Sequence, residues 1–136
     1  MTKQLASDPV ESSTLILFAE DDALIALNLQ DALEGAGFAV HHVLGAPEAL
    51  AALEADQARL SGLITDIRLG GDVDGWAVAR GALELIPHLP VVYISGDSAH
   101  EHTAHGVPDS LMLQKPFADA QLVTAIATLL NTSPPP

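Results

Sequence analysis

Five polar side chains follow directly on apolar runs, and their types could together hold a cation and a phosphoryl group. Glu20 and Asp21 follow Leu15-Ile16-Leu17-Phe18-Ala19, and Asp66 closes Leu63-Ile64-Thr65-Asp66. Ser95 follows Pro90-Val91-Val92-Tyr93-Ile94, and Lys115 follows Leu111-Met112-Leu113-Gln114. Carboxylates brought together repel one another and raise each other's pKa unless a cation sits among them. Hard oxygen ligands of this kind suit Mg²⁺, which keeps several waters and commonly bridges to phosphate. A lysine beside them adds a point charge able to hold a phosphoryl oxygen. Taken singly, each of these residues is more often a turn former, a helix cap or a surface charge. The chemistry depends on the chain bringing them to one place.

The elements that would do so alternate along the chain. Leu15–Ala19 is a buried-strand run ending abruptly in Glu20-Asp21-Asp22, of which Asp22 is the one best suited to be only a helix cap. Apolar residues then recur at helical spacing from Ala23 to Leu33, and Gly35 and Gly37 supply the stop. Residues 38–44 form a second strand, and Pro47 opens a second helix through Leu53. The 61–66 run is a third strand. After the loop 70–75, Trp76, Ala79, Ala82, Leu83 and Ile86 mark a third helix, closed by Pro87. A fourth strand ends at Ser95, a short polar helix covers 98–105, and a brief fifth strand covers 111–114. The last helix runs over about 118–130. Strand–helix alternation repeated in this way predicts an α/β fold with helices on both faces of a parallel sheet. In a doubly wound, flavodoxin-like five-stranded sheet of order 2-1-3-4-5, strands 1 and 3 are neighbours at the switch point, with 4 and 5 beside them. All five polar residues then meet at one edge.

Bulk properties narrow the class. A chain of 136 residues suits one domain, here 14–131 between a flexible arm (1–13) and a Pro-rich tail (132–136). Apolar residues make up 49% but aromatics only 4%, so the core is aliphatic. A net charge of −13 argues against nucleic acid and anionic membranes as partners. No cysteine, no membrane-length apolar run and no leader-like N-terminus fit a cytoplasmic protein. His100, His102 and His105, with Glu101, read as a solvated face rather than a metal site. Trp76 reads as core. The 70–75 loop lacks the lysine and the glycine spacing of a phosphate cradle.

The same residues resemble the response-regulator receiver domain of two-component signalling. Phe18-Ala19-Glu20-Asp21-Asp22 is similar to that family's acidic pair after strand 1, and Leu63-Ile64-Thr65-Asp66 to its phosphoacceptor strand. Tyr93-Ile94-Ser95-Gly96 is similar to its Thr/Ser-Ala/Gly step, and Gln114-Lys115-Pro116-Phe117 to its Lys-Pro motif. The likeness spans about residues 14–131, with every motif in order. It implies that Asp66 accepts a phosphoryl group from a phosphohistidine on a histidine kinase or histidine phosphotransfer protein. It also implies Mg²⁺ bound by Glu20, Asp21, Asp66 and the backbone carbonyl of Arg68, with Lys115 pairing to the phosphoryl group and the Ser95 hydroxyl moving to meet it. Such a protein is not an enzyme acting on other substrates. It signals by protein contact, here through 96–105 and 111–117, or hands the phosphoryl group onward.

Departures from the pattern are specific. The loop from Asp66 to Gly75 is longer than usual and carries Gly70-Gly71 in place of a proline. Met112 stands where the family usually has a mobile aromatic, and Tyr93 puts an aromatic nearby instead. Two other classes remain open on the residues: a Mg²⁺-dependent aspartyl-phosphate phosphohydrolase, and a receiver-like binding module that is not phosphorylated. The resemblance places Arg68, two beyond Asp66, and Asp97, two beyond Ser95, beside the line along which water must attack; their opposite charges either pair across the pocket or both point into water.

Overall fold

The computed structural model describes residues 14–132; the expected arm (1–13) and residues 133–136 of the tail lie outside them. In chain order the elements are β1 (Leu15–Ala19), α1 (Ala23–Gly35), β2 (Ala39–Val43), α2 (Ala46–Ala55), β3 (Leu60–Asp66), α3 (Gly75–Leu85) and β4 (Val91–Ser95). A 3₁₀ turn (Ala99–Glu101) then leads into the one-turn helix α4 (His102–His105), followed by β5 (Leu111–Gln114) and α5 (Asp119–Thr132). The five strands pair all-parallel in the order 2-1-3-4-5. The alternation of side chains along each strand divides the core in two. Leu17, Leu63, Val91 and Tyr93 pack with α2 and α3, whereas Ile16, Phe18, Ile64, Val92 and Ile94 pack with α1 and α5. The central strands are buried on both faces, which is why they read as continuous apolar runs.

Local chemistry starts the helices where the site needs them. Asp22 caps α1, its Oδ1 accepting the N–H groups of Leu24 (3.0 Å) and Ile25 (3.1 Å). Asp74 caps α3 by accepting from the Ala77 N–H at 3.0 Å. At the start of α5 the Ala118 N–H donates to Gln121 Oε1 at 2.7 Å, the reciprocal half of a capping box. This helix runs on to Thr132, two residues past the expected 118–130 helix. The Thr132 hydroxyl donates back to the Thr128 carbonyl at 2.9 Å.

Gly75 is required by a close approach. Its N–H donates to the Ile67 carbonyl at 2.7 Å, and a Cβ there would collide with the carbonyl oxygen of Asp66. Gly62 is a milder case deeper down, where a Cβ would press on the side-chain tips of Ile16 (Cδ1, 3.0 Å) and Ile126 (Cδ1, 3.1 Å). Helix α3 and helix α5 can therefore seat closely against β3, the strand that carries Asp66.

Candidate functional site

Parallel pairing carries the ends of β1, β3, β4 and β5 to one edge of the sheet. Glu20 and Asp21 follow β1, Asp66 ends β3, and Lys115 follows β5. Lys115 Nζ lies 2.8 Å from Asp66 Oδ2 and 3.4 Å from Glu20 Oε1. One carboxylate oxygen from each of Glu20, Asp21 and Asp66 falls within 4.8 Å of the others. A cleft of about 550 Å³ opens over this group, lined by Glu20, Asp21, Asp66, Arg68, Asp97 and Lys115 among others.

Burial sorts the three acids. Glu20 is 1% exposed, Asp66 is buried, and Asp21 faces solvent. Burial is the largest influence on Glu20 and pushes its carboxyl up to about 7. The Asp22 N–H, donating to Glu20 Oε2 at 3.0 Å, and the charge of Lys115 pull the other way, while Asp66 raises it further. Burial alone would lower Lys115. Its hydrogen bond to Asp66 and the charges of Asp66 and Glu20 outweigh that, and the ammonium is held above its ordinary range. Burial, more than unneutralised charge, thus lifts Glu20 from the ordinary carboxylate range toward neutrality. Three hard carboxylates converging within reach of one ion form a donor set that fits Mg²⁺.

The remaining expected residues are placed differently. Ser95 is buried and does not line the cleft; its Oγ accepts the N–H groups of Ser98 (2.7 Å) and Asp97 (3.2 Å). Arg68 lines the cleft, and its backbone N–H donates to Asp66 Oδ1 at 3.2 Å. Its guanidinium Nε donates to both oxygens of Asp97, at 2.9 and 3.0 Å, so the two side chains pair. Met112 lies beside Tyr93 in the β4–β5 register and packs against the core on the α2–α3 side.

His102 departs from the expected solvated face. Its ring stacks on Trp76 at 6.4 Å, meets Tyr93 edge-on at 5.7 Å, and approaches the Ser110 hydroxyl at 2.8 Å. His100 remains exposed beside Glu101, whereas His105, also near Glu101, tilts one side of its ring against Trp76 at 5.8 Å. Sequence reasoning also missed His42, whose Nε2 lies 2.8 Å from the Glu20 carbonyl. The available signal was a histidine in a strand adjacent to the acidic pair, which by itself is too common to mark.

Residues 16–127 match the model of the response regulator receiver domain family. The chain belongs to this family. It is 35% identical over 117 residues to the response regulator receiver protein CpdR of Brucella abortus, covering 85% of this chain and 95% of CpdR. It superposes on a response regulator receiver protein of Sinorhizobium medicae with a TM-score of 0.86, at 44% identity, over 90% of this chain and 98% of the other. The receiver domain of the Pseudomonas aeruginosa sensor histidine kinase PA1611, crystallised with magnesium in its active-site cleft, shares the fold at 20% identity and a TM-score of 0.74, covering 88% and 99% of the two chains. Other curated relatives are longer, and the chain spans between 23% and 46% of their length. The matched domain contains the acidic cluster, and among the described residues no helix is long and apolar enough to cross a membrane.

Proposed function

We propose that this receiver domain takes a phosphoryl group on Asp66 from a phosphohistidine of a histidine kinase or phosphotransfer protein. The observation that carries this reading is the contact of Lys115 Nζ with Asp66 Oδ2 at 2.8 Å, beside the convergent oxygens of Glu20, Asp21 and Asp66. Mg²⁺ held by those acids and the Arg68 carbonyl would neutralise charge on the incoming phosphoryl oxygens. An Asp66 oxygen forms the new O–P bond as the donor's N–P bond breaks, and the imidazole leaves with the bonding pair. Asp66 attacks through a carboxylate oxygen, which carries no proton to be removed first, so no general base is required. Lys115 pairs with a phosphoryl oxygen, and the Ser95 hydroxyl turns from the 97–98 backbone to meet another.

Leu24 and Leu27 are exposed on α1 beside the cleft residues Asp22 and Ile25, and offer the donor an apolar contact. The output partner reads the 96–105 and 111–117 face. The phosphohydrolase alternative needs a second acid two residues after the nucleophile, and Arg68 holds that position. Acetyl phosphate or phosphoramidate with Mg²⁺ should add one phosphoryl group by intact mass, and Asp66→Asn should take none. Equal labelling of that variant would end the assignment.

A further inference from the structure

Glu20 stands one residue beyond β1, where the ladder to β2 runs out. Its N–H still donates to the Val43 carbonyl at 3.1 Å. The next ladder bond to the Glu20 carbonyl would come from Gly45, but after Val43 the chain leaves the sheet and enters α2 at Ala46. The carbonyl is met instead by the His42 side chain, Nε2 to O, at 2.8 Å. His42 is the register partner of Phe18, two residues before Glu20, and therefore projects on the same face as both. Its ring rests on the Phe18 ring with centroids 5.7 Å apart and planes tilted 50°. Because a carbonyl only accepts, Nε2 must carry a proton in this contact.

The peptide group held in this way joins the two adjacent acids. Its carbonyl belongs to Glu20 and its N–H to Asp21, so its orientation sets the direction in which both side chains leave the strand end. We infer that His42 is a positioning residue of the acid pair: it sets the cation affinity of the site through the Glu20 carbonyl without touching the cation. This inference rests on the reading that Glu20, Asp21 and Asp66 take Mg²⁺. Groups that orient metal ligands from behind commonly change affinity by about 10- to 100-fold when removed. One hydrogen bond acting on one ligand's backbone belongs at the low end of that range.

Two substitutions separate the donor from the ring. His42→Phe keeps an aromatic ring on Phe18 and loses the N–H, whereas His42→Gln loses the ring and keeps an amide donor at similar reach. Calorimetric Mg²⁺ titration of the folded full chain should show affinity weakened about tenfold in His42→Phe and close to wild type in His42→Gln. Wild-type affinity in His42→Phe, or equal weakening in both variants, overturns the proposal. Asp21→Ala is titrated alongside. If it too binds Mg²⁺ like wild type, the metal reading itself fails and the positioning role goes with it. A measurement on the unmodified protein guards against a variant that does not fold. Long-range ¹⁵N spectra at neutral pH should show the His42 proton on Nε2, with a shift on Mg²⁺ addition. A neutral ring protonated on Nδ1 overturns the assignment outright.

Discussion

At the scale of single residues, the Arg68–Asp97 pair has the most direct bearing on how long a phosphoryl group would survive on Asp66. Both residues line the cleft, and the contact joins the loop after β3 to the loop after β4. The hydrogen bond from Arg68 is the first influence holding Asp97 below the usual carboxylate range, followed by the Ser98 hydroxyl. The same bond raises Arg68, so both groups stay ionised across the neutral range. Their side chains are 73% and 56% exposed, which makes the pair screened and weak. If Asp66 carries a phosphoryl group as proposed, the geometry of the pair would matter more than its strength, because a bridge across the cleft would hinder water approaching in line with the acyl–phosphate bond. Breaking it by Asp97→Ala should speed dephosphorylation of phosphorylated Asp66 by about two- to fivefold, in keeping with an exposed pair. Raising the salt should act in the same direction. Single-turnover decay of wild type, Arg68→Ala, Asp97→Ala and the double variant checks this. Additive effects would show that the two residues act separately.

At the scale of elements, the segment from Gly96 to His105 is the part most exposed to a change at Ser95. The Ser95 hydroxyl holds the N–H groups of Asp97 and Ser98, and both lose that acceptor if it turns toward a phosphoryl oxygen. The far end of the segment is clasped to the core. The Ser110 hydroxyl donates to the Val107 carbonyl at 2.6 Å and so accepts from His102 Nε2, while the Val107 N–H donates to Tyr93 Oη at 3.0 Å. A Cβ at Gly106 would collide with the His102 ring, which keeps the chain close at that turn. Beryllofluoride, a phosphoryl mimic, should therefore raise amide exchange over 96–105 by about tenfold, the factor that corresponds to roughly 1.4 kcal/mol of lost protection. Exchange changes confined to residues near Asp66 would refute the coupling. This segment is also where the sequence was least informative. A one-turn helix has no periodicity long enough to define a face, and the packing of His102 is decided by Trp76 and Tyr93 on other elements. The strand ends were legible for the opposite reason: short, mostly apolar runs stop at or just before Glu20, Asp66, Ser95 and Lys115, and sheet order then carries them to one edge. The roles of Gly75 and His42 depend on where β3 and β2 stop relative to their neighbours. No local pattern encodes that.

At the scale of the whole molecule, an aliphatic core carries a chain of net charge −13, with three acids converging at one edge. The electrostatic cost has a diffuse part, repulsion spread over the surface, and a local part at Glu20, where burial penalises the ionised carboxyl most and Asp66 adds to it. The two respond differently to solution conditions. Salt screens the diffuse part, since the Debye length falls to about 10 Å at 0.1 M. The local part follows the proton on Glu20. Below about pH 4.5 that carboxyl is protonated in both folded and unfolded chains and contributes no pH dependence. Between there and about 7 the unfolded chain ionises while the folded one holds its proton, so metal-free stability falls as pH rises. Above about 7 the loss is complete, on the order of 3 kcal/mol for a buried group shifted this far. Denaturant unfolding from pH 5 to pH 8 in chelator should show this decline, and Glu20→Gln should remove most of it. At pH 8, MgCl₂ should then restore stability beyond NaCl of equal ionic strength, saturating as a bound ligand does and reaching about 2.7 kcal/mol at a hundred times its dissociation constant. Asp21→Ala should keep the NaCl response and lose the saturable increment. If MgCl₂ and NaCl stabilise the wild type equally at matched ionic strength, the acids act only as diffuse charge and hold no ion.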